Sequence, residues 1–95
     1  MYASLRYYGV NDAETVTRNV NEEFLDILRE VPGFSAYQLV DLGDGTMVSI
    51  TLTDDEAGAD ASTERAAEWL GGNEEMQNAV KGPPRVVSGE ITASA

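Results

Sequence analysis

Trp69, the tyrosines and a few isolated polar side chains are the groups in this chain suited to holding a small molecule. Trp69 is the sole tryptophan, and its helix face is otherwise built from Ala59, Ser62 and Ala66. Two readings follow from that contrast. Either the indole fills the core, as aromatics at helical spacing do, or the small residues leave room beside it for a flat aromatic ligand to stack. Tyr7, Tyr8 and Tyr37 can donate phenolic hydrogen bonds to an enolate or quinol oxygen, and can equally serve as strand and interface packing. Asn19 and Ser49 would complete a polar lining. Trp69, Tyr37 and Asn19 are the candidate catalytic residues, suited to stabilising an oxyanion in a dry pocket. Arg6 falls mid-strand, where a charge needs a partner: a carboxylate across a dimer, or an anionic ligand.

What is missing narrows the chemistry. The chain has no histidine and no cysteine. That removes the commonest general base, the usual haem ligand, disulfides, thiolate metal sites and every Ser–His or Cys–His pair. Asp60 or a tyrosinate would have to act as the base. Asp54, Asp55 and Glu56 resemble a metal cluster, but at a helix start they are better explained by capping and the helix dipole. Gly43 and Gly45 belong to a hairpin, so no phosphate-cradling loop is present. Neither a metal nor a cofactor is expected.

Seventeen acidic residues stand against six basic ones, a net charge of −11 over 95 residues. Such a surface repels phosphate backbones and anionic lipid, which argues against nucleic-acid and membrane partners. No apolar run is long enough to cross a bilayer and no signal peptide is apparent, so the expected location is the cytoplasm. Five of the six cations are arginine. That bias fits adaptation to concentrated salt, which screens carboxylate repulsion, and it fits equally an acidic protein from a GC-rich genome. A melting temperature that climbs with KCl marks the first; a flat response removes it.

The elements that must position these residues can be read from their stops. Tyr2 to Val10 reads as a strand, and Asn11 or Asp12 caps the helix that follows. Val16, Val20, Phe24, Ile27, Leu28 and Val31 recur at spacings of three and four, one apolar helical face. Val31-Pro32-Gly33 ends that helix. Phe34 to Asp41 and Thr46 to Thr53 read as strands around Leu42-Gly43-Asp44-Gly45. Thr53-Asp54-Asp55-Glu56 has capping-box spacing ahead of a second helix, about Asp54 to Leu70. Asn73 to Lys81 adds a helical turn with Met76, Ala79 and Val80 inward. Pro83-Pro84 resets the chain before a last strand, Arg85 to Ile91.

The order βαββαβ is ferredoxin-like: one α+β domain, residues 1–95, with an antiparallel four-stranded sheet covered on one side by helices. A sheet with one wet face should alternate cleanly between apolar and polar. Here Leu5 and Tyr7 oppose Tyr2 and Tyr8, while Phe34, Ala36 and Val40 oppose Tyr37 and Leu39. Ser4, Arg6, Ser35, Gln38, Ser49 and Thr51 are interleaved with them. Apolar groups on both faces predict a homodimer packed sheet to sheet.

Arg6-Tyr7-Tyr8, Val31-Pro32-Gly33-Phe34, Gly43-Asp44-Gly45, Asp54-Asp55-Glu56-Ala57-Gly58 and Ala66-Ala67-Glu68-Trp69, taken in order, resemble the antibiotic-biosynthesis-monooxygenase-like proteins. Pro83 to Glu90 suits the pattern, so the likeness covers nearly the whole chain. The resemblance implies the dimeric α/β-barrel arrangement, with a ligand cleft between sheet and helices. It implies cofactor-independent oxidation of quinol-like or polyketide aromatics by O2. Haem-degrading relatives use an Asn, a Trp and a His; Trp69 matches the Trp, and no histidine exists to complete the set. Quinol-oxidising relatives carry a His early in the second helix, where this chain reads Ala59-Asp60-Ala61-Ser62. A non-catalytic dimer that keeps the fold as a binding or structural module is the alternative.

Overall fold

Glycines at positive φ mark where the chain of the computed structural model, which covers residues 1–95, reverses direction. Gly33 (φ 79°) lets the first helical region stop at Val31-Pro32 and release into a strand. Gly43 and Gly45 (φ 78° and 86°) make the hairpin loop. The carboxylates of Asp41 and Asp44 accept from the backbone N–H of Gly43 and Thr46 across that loop, at 2.9 and 3.1 Å.

Between the stops run β1 (Tyr2–Gly9), α1 (Ala13–Asn19), a π-turn (Val20–Phe24), α2 (Leu25–Arg29), β2 (Phe34–Asp41), β3 (Thr46–Thr53), α3 (Glu56–Gly71), α4 (Glu74–Ala79) and β4 (Arg85–Glu90). The strands lie in the order β2-β3-β1-β4, all neighbours antiparallel, which is the ferredoxin-like α+β arrangement. No closed barrel is formed by the single chain.

Caps follow the residues that can make them. Asp12 caps α1 through the Thr15 N–H, and Asn73 caps α4 through the Met76 N–H. At α3 the capping residue is Asp55, whose carboxylate accepts from the Gly58 N–H at 2.9 Å. The expected capping box starting at Thr53 does not form: Thr53 hydroxyl donates instead to the Asp55 carbonyl, and the helix begins at Glu56. A carboxylate two residues later is the stronger acceptor at the positive end of the helix.

The first helical region is not one uniform α-helix. Val16, Val20, Phe24 and Leu28 are all buried, each four residues from the next. In a regular α-helix every such step overshoots a full turn by about 40°, so the fourth residue would face away from the first. The π-turn, in which Leu25 N–H bonds back to the Val20 carbonyl, takes up the excess and keeps all four on the core side.

Strand register sets which side chains meet the helices. The pairs Tyr8↔Met47, Arg6↔Ser49, Ser4↔Thr51 and Tyr2↔Thr53 share one face, and Tyr37 and Leu39 join it from β2. A bulge between Phe34 and Ala36 corrects the expected alternation: Phe34 pairs with Thr53 and packs on the core beside Tyr37 and Leu39, away from Ala36 and Val40. Ala3, Leu5, Tyr7, Val48, Ile50, Leu52, Val40 and Val87 occupy the opposite, uncovered face.

The polarity of the two faces is reversed from the usual pattern. Ser4, Arg6, Ser49, Thr51 and Thr53 lie under the helices, each at most 1% exposed. The apolar residues of β1 and β3 form the uncovered side. Apolar core is confined to one end, where Val10, Val16, Val20, Phe24, Leu28, Val31, Met47, Met76, Ala79 and Val80 close together.

Candidate functional site

Arg6 is the largest fully buried side chain in the molecule. It enters the layer between sheet and helices because β1 alternates and its even-numbered residues face α3. Small residues on that helix leave the space: Ala59, Ser62 and Ala66 would be replaced by bulk in an ordinary core. The guanidinium donates to Thr51 hydroxyl (3.0 Å), Ser62 hydroxyl (3.0 Å) and Thr63 hydroxyl (3.2 Å). Its Nε has no partner, nor do the buried hydroxyls of Ser4 and Ser49. No carboxylate reaches it. The two ion pairs of the chain, Arg18–Glu75 and Arg29–Asp26, are on the surface. Burial lowers the Arg6 pKa from its usual value, but an arginine starts so high that it stays charged.

Two phenols share the layer. Burial raises the pKa of Tyr8, opposed by the nearby Arg6 charge, and burial raises that of Tyr37 further still. Both are therefore neutral at physiological pH, able to donate a hydrogen bond to a ligand and unable to serve as bases. Asp60, the other base considered from sequence, is exposed on α3 near Tyr2, outside this layer.

An open cleft of about 350 Å³ lies beside Arg6. Tyr8, Ala66 and Leu70 form its inner wall, and Pro83, Pro84 and Val86 its outer lip, with Arg6 and Thr63 deeper in. Gln77 closes one end while its amide donates to the carbonyls of Leu70 and Gly71, each at 2.9 Å. A space of this size with mostly apolar walls and few polar groups suits one small aromatic molecule.

On the far side of Tyr8, Ala66 and Leu70 the helix–sheet space is nearly solid. Trp69 stacks on Phe24 at 4.8 Å and 21°, and Phe24 meets Tyr37 edge-on at 5.7 Å and 77°. Only about 20 Å³ remains between them. The indole N–H turns outward and donates to Glu23 at 2.9 Å. There it joins a polar network in which Asn73 donates to the side-chain Oδ1 of Asn19 (3.0 Å), and Asn19 Nδ2 donates to the Thr15 backbone carbonyl (2.9 Å) and to the Glu75 carboxylate (2.6 Å). The Asn19 hydrogen bond, with Arg18 beside it, holds the Glu75 carboxyl below its ordinary range.

The three residues singled out from sequence are thus adjacent, but no one pocket is lined by all three. Trp69 and Tyr37 line the closed space, Asn19 and the rim of Trp69 the outer polar network, and none of the three lines the open cleft. Arg6 faces α3, on the side of the sheet away from the face expected to meet a second copy. Thr63, Gln77, Pro83 and Pro84 were not distinguished by the sequence. Thr63, one residue past Ser62 on α3, was the traceable one; the prolines gave only a break in the chain.

No protein-family model matches the chain, and no curated protein matches it by sequence. Solved structures do match. A monooxygenase from the ActVA-Orf6 gene of Streptomyces coelicolor, in complex with nanaomycin D, superposes with TM-score 0.77 at 19% identity, over 99% of this chain and 89% of that one. A protein of unknown function from Nitrosomonas europaea gives 0.76 at 21%, over 99% and 91%. SnoaB, a cofactor-independent oxygenase from Streptomyces nogalater, gives 0.72 at 13%, over 98% and 94%. The ordered residues that suggested a likeness thus lie on the same scaffold: this chain has the fold of the antibiotic-biosynthesis-monooxygenase-like structures.

Proposed function

We propose that the chain is a cofactor-independent monooxygenase acting on an electron-rich aromatic, bound in the cleft between α3 and β4. The observation that carries this reading is the cleft itself: an apolar slot of about 350 Å³ with Tyr8, Thr63 and Arg6 at its base. In this reaction the substrate supplies the electrons. Its anion passes one electron to O2, the radical and superoxide couple at carbon, and the resulting peroxide loses water to leave a carbonyl. Protein groups exclude water and hold the oxyanion. The presence of a cofactor-independent oxygenase among the structural neighbours supports the reading.

Trp69 and Tyr37 act at one remove here. Trp69 stacked on Phe24, with Tyr37 edge-on to it, forms the wall behind Tyr8, and Asn19 anchors the rim of that wall through Asn73. The assembly we propose is a homodimer through the uncovered sheet face, where Leu5, Tyr7, Val48, Ile50, Leu52, Val40 and Val87 are laid out together. A single apolar expanse of that kind on a small acidic protein calls for a covering surface, and a second copy offers an identical one.

Oxygen-electrode assays with dihydroxynaphthalenes and anthrones, run from neutral pH up through the range in which these compounds ionise, test the reaction. Substrate-dependent O2 uptake that falls when the cleft is filled by Ala67→Trp supports it. No uptake across the panel leaves the fold as a non-catalytic binding module.

A further inference from the structure

Resting on that reading, and narrowing its substrate, we propose that the cleft selects aromatics that arrive already ionised, their anionic oxygen seated against Arg6. A buried guanidinium without a counter-ion is costly, since removal from water is not repaid by any opposite charge. Thr51, Ser62 and Thr63 hydroxyls occupy three of its N–H groups. An arginine has five, so two remain, and the unpartnered Nε is one of them. Arg6 also lines the cleft. The uncompensated charge therefore lies in the wall of the cleft, on a side chain that is itself only 1% exposed.

The walls say what form the ligand must take. Tyr8, Thr63, Ala66, Ala67, Leu70, Gly71, Gln77, Pro83, Pro84 and Val86 complete the lining with Arg6, and they include no carboxylate. The chain has no histidine, and the phenol of Tyr8 is held neutral by burial. Nothing in the cleft can take a proton from a weakly acidic phenol at neutral pH. Arg6 can, however, stabilise a negative charge that the ligand brings with it. The remaining surface opposes anions, with a net charge of −11, so capture depends on this one local cation. Electron-rich aromatics whose enol or phenol has already ionised meet these demands; an acidic hydroxyquinone, already oxidised, presents the same flat anion as a probe of recognition alone.

The test compares 2-hydroxy-1,4-naphthoquinone, ionised at pH 7, with its neutral 2-methoxy ether, titrated calorimetrically without O2. The hydroxyquinone should bind the wild type at least about tenfold more tightly than the ether. Arg6→Met should bring the two within about twofold, and Arg6→Lys, which keeps the charge, should retain the preference. Equal binding of both ligands by the wild type overturns the proposal, whether or not Arg6→Met folds; so does a preference that survives in a folded Arg6→Met. Stabilisation by inorganic phosphate equal to that by the hydroxyquinone overturns its aromatic half. Because O2 is absent, the titration reads recognition alone. Binding of the hydroxyquinone with the expected preference, together with no O2 uptake from the dihydroxynaphthalenes and anthrones, retires the monooxygenase and leaves the anion site standing.

Discussion

The two faces of the sheet have exchanged their ordinary roles. Beneath the helices, β1 and β3 place Ser4, Arg6, Ser49, Thr51 and Thr53, whereas the uncovered side carries Leu5, Val48, Ile50 and Leu52. In a lone α+β domain the helices normally bury the apolar face and water takes the polar one. Here the covered layer is a hydroxyl-lined chamber around a cation, and stability must come from the apolar end of the chamber together with whatever covers the other face. On the proposed reading, this inversion of polarity separates two jobs, recognition inside and assembly outside, on opposite sides of the same strands.

Breaking the outer face should have the largest effect. Leu5→Glu combined with Ile50→Glu puts two charges in the centre of the uncovered side without touching the chamber. Sedimentation at micromolar concentration should show a dimer for the wild type and a monomer for the double variant; a wild-type monomer refutes the assembly. In the polar network outside the chamber, Asn73→Ala removes the donor to Asn19 and the cap of α4 together. It should cost about 2 kcal/mol in urea unfolding. Arg6→Met should do the reverse, raising ligand-free stability by about 1 kcal/mol as the uncompensated charge disappears. A loss of several kcal/mol instead would mean that the hydroxyl contacts already satisfy the guanidinium.

Acidity sharpens the same contrast by a smaller amount. Burial, then the neighbouring Tyr8, raises the pKa of Tyr37 above its ordinary 10.0. A folded chain therefore holds a phenolic proton that the unfolded chain releases. That contribution is complete below pH 10 and is lost as pH climbs toward the folded value. Melting temperature should fall in this alkaline window, and Tyr37→Phe should flatten the fall.

Much of this architecture was legible in the residues. The apolar spacing from Val16 to Val31, the Pro32-Gly33 stop and the glycine hairpin are local signals, and each element lies where they place it. The bulge at Ser35 was not legible, because Phe34 and Ala36 are both apolar and either could face the core. The capping residue of α3 was missed for a similar reason: Thr53 and Asp55 both fit, and the choice rests on how strand and helix join. Arg6 was seen, but a charge mid-strand reads as facing a partner or ligand, and only the register with Ser49 puts it beneath α3. The cleft depends on Pro83 and Pro84 standing opposite Ala67 and Leu70, a long-range meeting with no trace in composition.

The π-turn implies that the first helical region carries one residue more than its buried stripe requires. Shortened by one, the path from Val16 to Leu28 would take about 11 residue steps, which a plain α-helix completes in about three turns. Asn21 is exposed within the widened turn, so its deletion should convert the bulge to ordinary helix while the same four side chains stay inward. Loss of Thr17, in the regular helix just after Val16, lacks that remedy and should unseat Val16. A circular-dichroism melt of the two deletions would separate a tolerated contraction from a ruptured one. It would also reveal whether this stretch is an inserted residue accommodated in place.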